Sequence, residues 1–558
     1  MTRNKIEEVL ADQTTRLPKS KLILLCFGLQ IALFLSFIDS TSVSTILPIV
    51  GADLNAANSI TWAGTAFLVA NTSFQVITSR LSDCFGRKII LMGSLFLFAL
   101  GDLLAGFATN KVWLYCARAV AGIGGGGINS LSMIIMSDVV TLRERGQYQS
   151  LLGIGIALGS GVGPFLGAIL AEKVRWSWAF WVIAPLSTLT MGLIHFTVPL
   201  RPVSGDFKEK LRSMDWIGSV LSLTMTVCIL VPLSGGGSTF AWKSPVVISL
   251  FIVGGLAVLA FIYVERKVAR YPLFPGRLLK NRNVCLLLLQ TWLVGIVYYG
   301  GIYFVPLYLQ NVRGNTPILS AALLLPLVLG QVLTTTISGY VVKYTNRTWA
   351  SFVFGFTLWA AGQGAQLCFT RSTTQGVIIG CLLLQGFGIG STIQSTLVLA
   401  QASGPAGDRA VVTGVRNFAR TSGGAIGLAI GNTILQNIFL ANIPQDLPEG
   451  LRMEIAANFE IINTLDLDIA SQVRDAYMKG IRNVFIFFVP VVVLCLMMCF
   501  FIKDLPLDAP MAPILPNTKE PQAIADPLDQ NDSTLSSQPY SIDELPEEEK
   551  EEINLRDR

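Results

Sequence analysis

Long apolar runs separated by short polar connections alternate along most of the chain, from residue 22 to residue 502. A bilayer core about 30 Å thick requires about 20 apolar residues per helix, because backbone polar groups in lipid must be satisfied within the segment. The pattern predicts an all-α integral membrane protein. We expect the protein to have about fourteen transmembrane helices, near residues 22–50, 59–79, 89–108, 112–137, 148–171, 177–198, 216–235, 245–264, 284–310, 317–342, 349–370, 375–401, 411–437 and 483–502.

Lysine and arginine residues cluster in alternate connections between these predicted helices. The intervening connections carry few cations. The basic connections are 80–88, 143–145, 208–212, 266–282, 343–347 and 409–416, the last of which contains Arg409 and Arg416. Cytoplasmic loops of membrane proteins carry the excess of Lys and Arg. Both termini are therefore predicted to face the cytosol, in agreement with an even number of helices.

The composition agrees with this location and excludes several classes of function. Of the 558 residues, 52% are hydrophobic and 14% are charged, and the net charge of +5 is too modest to predict a nucleic-acid partner. Nine scattered cysteines lack the spacing of a metal site. Residues 122–127 satisfy a dinucleotide-binding pattern, but they lie inside a predicted membrane helix. We therefore expect no metal, no cofactor and no enzymatic activity.

Three segments are predicted to lie outside the membrane. Residues 1–21 are polar and form a cytosolic N-terminal tail. Residues 438–480 have apolar positions at helical spacing among acidic residues, which predicts a helical loop on the outer side. Residues 504–558 are proline-rich and acidic, and too few of them are apolar to bury a core, so a disordered cytosolic tail is expected.

A weak internal repeat relates residues 79–87 to residues 339–347. Gly86 and Asn346 occupy corresponding positions, and both residue types tolerate the positive φ of a tight turn. Transporters built from duplicated halves show repeats of this kind.

The fifth predicted helix carries a glycine every four residues. Residues i and i+4 share a helix face, so the pattern predicts a groove without side chains, and a proline next to it adds a kink. Helix packing explains part of this pattern. The stretch 159–168 also resembles the Gly-x-x-x-Gly-Pro-x-x-Gly-Gly element of major facilitator antiporters, with Ala168 in place of the last glycine. The residues concerned are Gly155, Gly159, Gly163, Pro164 and Gly167.

The connection at residues 81–88 resembles the signature of the same superfamily between its second and third helices. Asp83 and Arg87 flank the turn at Gly86, and Lys88 follows. An acid and an arginine in these positions can form a charge-assisted latch that breaks as the two halves move, so these residues are predicted to hold a cytoplasmic gate. The alternative is a plain cytosolic anchor.

Asp39 lies about 27 Å along the first predicted helix from Lys21, at about 1.5 Å per residue. A charge in mid-membrane costs roughly 2.5 to 3.5 kcal/mol, so such a residue is functional by default. Residues 39–48 are similar to the first-helix element of fourteen-helix drug:proton antiporters, in which a protonatable carboxylate can couple substrate release to proton uptake. The alternative places Asp39 near the outer interface, where it would cap a turn.

Arg118 on the fourth predicted helix matches an intramembrane arginine that the resemblance implicates in proton transfer. A guanidinium group does not itself deprotonate, so Arg118 would act on a neighbouring carboxylate. Asp102 on the third predicted helix belongs to no matched motif. It is a candidate proton relay or a candidate partner for Arg118, and both roles stay open.

The resemblance covers about residues 22–502 and is to the major facilitator superfamily, in particular to fungal toxin and multidrug efflux pumps of the fourteen-helix drug:proton antiporter type. It implies alternating access between two six-helix halves, at 22–198 and 284–503, with an inserted helix pair and its cytosolic linkers at 199–283.

For function, the resemblance implies a monomeric, multi-pass exporter in the plasma membrane that moves a small organic molecule in exchange for protons. Two alternatives remain: an antiporter of basic amino acids and protons in the vacuolar membrane, and a nutrient sensor that does not transport. Few acids are predicted to face the cavity, which disfavours strongly cationic substrates.

Overall fold

The computed structural model describes residues 19–54, 56, 60, 62–140, 142–197, 215–235, 240–269, 273–274, 276–404, 409–444, 447–448, 450–452, 455, 462 and 466–505. Helices account for most of these residues. Most of both predicted tails, the linker at 199–214 and part of the predicted outer loop at 438–480 lie outside the described residues.

The N-terminal half consists of seven helical segments that follow the predicted apolar runs. They are α1 (Lys19–Asp53), α2 (Trp62–Phe85), α3 (Arg87–Gly106), α4 (Lys111–Val139), α5 (Leu142–Lys173), α6 (Trp178–Trp181) and α7 (Ile183–Thr197). Helix α1 packs along α5, and α4 packs against both α2 and α3. The buried side chains of this half include one large apolar cluster that extends from Leu22 to Ile194.

A helical hairpin follows, made of α8 (Trp216–Gly235) and α9 (Pro245–Lys267). Helix α9 begins sharply because Ser244 accepts a hydrogen bond from the backbone N–H of Val247 and Pro245 occupies the first turn. The two helices pack on each other, and α8 contacts α2 as well as a helix of the C-terminal half. A helical hairpin thus occupies the stretch of chain in which the inserted pair is predicted, and its role as an inserted pair stays a prediction.

The C-terminal half begins after a short helix, α10 (Gly276–Leu279). Its helices are α11 (Arg282–Leu307), which runs on into a π-helical turn (Tyr308–Val312), α12 (Pro317–Thr345), α13 (Trp349–Ala365), which ends in a 3-10 turn (Gln366–Cys368), α14 (Gln375–Ser403), α15 (Arg409–Asn442) and α16 (Leu467–Cys499). Helix α12 packs along α14, and α11 packs along α15.

The two repeat positions adopt the backbone conformation expected of them. Gly86 has φ 99° between α2 and α3, and Asn346 has φ 55° at the end of α12. Among the described residues, Asn346 alone has positive φ without being glycine. Both positions therefore have the positive φ predicted for them, although their ψ angles differ, 144° at Gly86 and 17° at Asn346.

Twelve helices in the described part of the chain are long and apolar enough to cross a membrane. Helices α2 and α13 are not among them, because α2 carries many buried polar side chains and α13 is only 17 residues long. An all-α membrane fold is thus established, whereas the count of about fourteen spans stays a prediction.

The last helix differs in length from its prediction. Helix α16 begins at Leu467, whereas the apolar run begins at 483. Its first turns bury only one face, with Ala470, Val473 and Tyr477 in the core. Because apolar and polar residues alternate in such an amphipathic segment, it does not form the continuous apolar run by which a transmembrane helix is predicted. The end of the segment predicted as an outer loop is therefore the start of this helix.

The halves contact each other mainly through α5 and α12, with further contacts between α2 and α15. Near the end predicted to be cytosolic, the Lys343 ammonium donates to the Gln147 side chain at 2.7 Å. A Cβ atom placed on Gly339 would lie 2.7 Å from the carbonyl oxygen of Gly146. This distance is shorter than real Cβ contacts, so the two helices can meet here only because Gly339 lacks a side chain.

Candidate functional site

Arg118, Asp39 and Asp102 form a buried ion-pair cluster in the N-terminal half. The Nη1 atom of Arg118 lies 2.6 Å from Oδ1 of Asp39 and 3.3 Å from Oδ1 of Asp102. The side chains of all three are at most 1% exposed. Residues from α4, α1 and α3 thus meet at one guanidinium group, and of the two roles left open for Asp102 the geometry shows that of partner to Arg118.

Aromatic side chains enclose the arginine of this cluster. The guanidinium carbon lies 4.5 Å from the ring centre of Phe67 on α2 and 5.3 Å from that of Phe180 on α6. Such contacts stabilise a cation and keep water away from it. Sequence analysis did not find these rings, because an aromatic residue in an apolar membrane helix carries no distinguishing signal.

The cluster contains two acidic side chains but only one basic side chain. Two carboxyl groups share one guanidinium, and Asp39 is also close enough to act electrostatically on Asp102. Oδ2 of Asp39, Oδ2 of Asp102 and Nε of Arg118 have no hydrogen-bond partner among the described residues. Because an unbalanced buried charge is costly, the arrangement can accept one proton on either carboxyl group. The proton would then belong to the pair as a unit.

The glycines of α5 position the helix that carries Asp39. Cβ atoms placed on them would lie 2.6 to 2.8 Å from backbone carbonyl oxygens of α1. The contacts repeat at each helical turn, with Gly155, Gly159, Gly163 and Gly167 facing Gln30, Phe34, Ile38 and Ser42. Pro164 lies inside the same helix. The predicted groove therefore exists, and α1 fills it.

The predicted gate residues meet at the end of the N-terminal half that is predicted to be cytosolic. Arg87 forms an ion pair with Asp83 across the turn at Gly86, and its Nε donates to Oδ2 of Asp138 at 3.0 Å. Its Nη1 also donates to the Ser82 hydroxyl at 2.7 Å. These partners of Arg87 all lie in the N-terminal half. The ion pairs therefore join α2, α3 and α4 within that half.

Two details of this region were not predicted. Asp138, at the end of α4, was not recognised as a partner of Arg87, although an acid beside a basic turn could have suggested it. Lys88 donates to the backbone carbonyl of His195 at 2.7 Å, which ties α3 to the end of α7.

A small central cavity lies between the halves and holds two arginines that sequence analysis missed. Its volume is about 10 Å³, which is room for about one water molecule. Leu33, Phe37, Asn129, Met133 and Ile156 line it from the N-terminal half, and Ile393, Gln394, Arg416, Asn417 and Arg420 line it from the C-terminal half. Arg416 was counted with the cytosolic residues, but the structure buries it inside α15 with an exposure of 3%. An arginine inside a predicted apolar run was the available signal.

Comparison with known proteins identifies the family. The model of the Major Facilitator Superfamily matches residues 29–428. Citrate exporter 1 of Yarrowia lipolytica is 39% identical to this chain over 88% of the chain and 74% of that protein. The MFS-type transporter clz4 of Cochliobolus lunatus is 37% identical over 90% of both chains, and the efflux pump dotC of Dothistroma septosporum is 32% identical over 83% of this chain and 80% of its own length.

A solved structure shares the fold. The human organic anion transporter MFSD10 superposes with a TM-score of 0.57 at 14% identity, over 87% of this chain and 100% of that chain. At a sequence identity this low, the superposition shows a shared fold but not a shared function. Together with the family match and the fungal efflux-pump relatives, it shows that this chain is a membrane transport protein belonging to the major facilitator superfamily.

Proposed function

We propose that this protein exports a small organic molecule by alternating access and that proton uptake at the Asp39, Asp102 and Arg118 cluster drives the export. The observation that carries the proposal is the geometry of that cluster, in which two carboxyl groups share one guanidinium at 2.6 and 3.3 Å with almost no exposure. Such a site changes its net charge when it binds one proton, in a region where net charge is costly.

Coupling requires that the two protonation states favour different arrangements of the halves. With both carboxyl groups ionised, Arg118 holds α1 and α3 against α4. A proton on Asp39 weakens its bond to Arg118, because a neutral acceptor binds guanidinium less strongly than a carboxylate does. Helix α1 also lines the central cavity through Leu33 and Phe37. A change at Asp39 can therefore reach the substrate through a rigid helix.

Export, rather than import, is supported by the relatives, since those compared above include proteins named as an exporter and an efflux pump. We place the protein in the plasma membrane on the same ground. The vacuolar alternative with basic amino acids finds little support in the cavity, because its described lining includes two arginines and no acid. A sensor that does not transport would have no need of the buried two-carboxylate cluster.

Flux measurements in proteoliposomes under an imposed pH gradient test the proposal. The wild-type protein should move substrate faster when protons can flow in the opposite direction, and Asp39→Asn should abolish that acceleration. Asp53→Asn is the matched control, since Asp53 lies at the exposed end of the same helix and accepts a hydrogen bond from Trp176. If wild-type flux ignores the gradient, or Asp39→Asn responds to it normally, proton coupling is refuted.

A further inference from the structure

Arg416 and Arg420 lie one turn apart on α15, where residues i and i+4 share a helix face. They are 3% and 4% exposed, and both line the central cavity. Arg420 is close enough to Arg416 for the two positive charges to repel each other. Two like charges are thus held side by side in the part of the protein where a single charge is already costly.

Neither arginine has an acidic partner in the described part of the chain. Arg416 uses Nη2 to donate to the Ile393 carbonyl at 2.5 Å and to the Thr396 hydroxyl at 3.2 Å. Both of these acceptors are uncharged, so the positive charge of Arg416 is not balanced. By comparison, Arg118 and Arg87 in the N-terminal half each pair with two carboxylates.

Several hydrogen-bond donors around the cavity are unused. Nε of Arg416, Nε of Arg420 and Nδ2 of Asn417 are buried and have no hydrogen-bond partner among the described residues. Buried donors in proteins are nearly always satisfied by protein, water or ligand. Three unused donors on one helix therefore indicate a ligand rich in acceptors.

We propose that Arg416 and Arg420 bind the carboxylates of the transported substrate and that this substrate is a small organic anion with two or three carboxyl groups. The inference rests on the proposed function, since it names the substrate class of the same transporter. Arginine suits this role because its planar fork matches a carboxylate, and two forks one helical turn apart can hold two carboxylates of one molecule.

The position of the cavity agrees with such a substrate. In the arrangement described here the cavity has a volume of about 10 Å³, which is room for about one water molecule, so the halves must move apart before a substrate can enter. Both halves line it, so a bound anion would contact α1, α4 and α5 on one side and α14 and α15 on the other. The substrate would then be released as the halves separate around it.

A second pocket, at the end predicted to face outward, carries the same sign of charge. Five basic side chains line it, namely Arg313, Arg371, Arg474, Lys479 and Arg482, together with Asp475, which pairs with Arg371 at 3.1 Å. An excess of cations on the outer side runs against the usual distribution of Lys and Arg. It would attract an anion that leaves the central cavity outward.

Equilibrium binding of radiolabelled citrate and succinate to the purified full chain tests the proposal. Arg416→Gln and Arg420→Gln should each weaken citrate binding by about 10- to 100-fold, the usual effect of losing a buried hydrogen bond to a charged group. Arg416→Lys should recover part of the loss, because it keeps the charge but not the fork. Arg282→Gln removes an exposed cation from the same half and should bind as the wild type does.

A competitor provides a test that depends on no variant. Citrate should displace the label from the wild-type protein, whereas the uncharged trimethyl ester of citrate and inorganic phosphate should not. Equal competition by the ester, equal competition by phosphate, or unchanged binding in both glutamine variants would each overturn the proposal. Binding is measured without a pH gradient, so it tests the substrate class separately from proton coupling. If the protein binds citrate through these arginines but its flux in proteoliposomes does not respond to a pH gradient, proton coupling is refuted and the proposed substrate class is retained.

Discussion

The guanidinium group of Arg118 lies 2.6 Å from the carboxylate of Asp39, although 79 positions separate them in the chain. The bond fixes α1 to α4 inside the N-terminal half, and Asp102 on α3 shares the same nitrogen at 3.3 Å. Three helices of that half therefore depend on one cation. Any change in the protonation of the cluster alters how these helices are held together.

Asp102→Asn should uncouple transport from the proton gradient without preventing folding. The substitution leaves one carboxylate opposite one guanidinium, a balanced pair that gains little from binding a proton. We expect exchange of substrate at equal pH on both sides to persist, while the acceleration by an imposed gradient is lost. The comparison of both fluxes in the same proteoliposomes checks this outcome. A variant that keeps its acceleration would show that Asp102 is only a structural partner.

Gly159→Ala should destabilise the protein although it adds a single methyl group. The new Cβ would lie 2.6 Å from the carbonyl oxygen of Phe34, so α1 and α5 would have to separate. Overpacking of this kind costs about 1 to 3 kcal/mol, and the midpoint of thermal unfolding in detergent should fall.

Gly93→Ala on α3 is the matched control for that substitution, because nothing lies within 4 Å of its added Cβ. It should leave the unfolding midpoint unchanged or raise it, since alanine reduces the freedom of the unfolded chain. Equal midpoints for the two variants would mean that the glycine groove is not tightly packed.

Local rules were sufficient to predict some of these features from the sequence. A glycine or asparagine at a tight turn needs only its own backbone preference, so Gly86 and Asn346 could be assigned positive φ in advance. Likewise, a charged residue in an apolar run is visible without a structure. Asp39, Asp102 and Arg118 were therefore recognised as candidates, but which of them pair depends on how α1, α3 and α4 pack.

Other features depend on the packing of distant segments and could not be predicted. The surroundings of Arg416 are one such feature, because its place inside a predicted apolar run marks it as unusual but does not show which helices pack around it. Only the neighbours supplied by α14 show that it faces the central cavity. The true start of α16 was hidden for a related reason, because a helix with one buried face does not stand out as a transmembrane run.

Asp138→Asn should loosen the end of the N-terminal half that is predicted to be cytosolic. Asp138 accepts from Nε of Arg87 at 3.0 Å and is 15% exposed, so the pair is partly shielded from solvent. Loss of one of the two carboxylate partners of Arg87 should raise hydrogen exchange in residues 80–90 and 134–146 and lower kcat more than it changes KM.

Asp468→Asn removes an exposed carboxylate from the first turn of α16 and serves as its control. Neither exchange nor turnover should change in that variant. If Asp138→Asn behaves in the same way, Asp83 and Ser82 suffice to hold Arg87 and the contact with α4 is dispensable.

Gly339→Leu should prevent the two halves from closing at the ends predicted to be cytosolic. Gly339 on α12 meets Gly146 on α5 so closely that even a Cβ atom would lie 2.7 Å from its carbonyl oxygen, and Lys343 bonds to Gln147 one turn further on. The larger leucine side chain would push α5 and α12 apart and favour the state in which these ends are separated. Hydrogen exchange in residues 142–153 and 335–345 should increase, and transport should fall by about tenfold or more, because a cycle that cannot close on one side is interrupted. Gly380→Leu on α14 introduces the same side chain where nothing lies within 4 Å of the Cβ position, so it should transport normally. A Gly339→Leu protein with wild-type flux would mean that this contact need not form during transport.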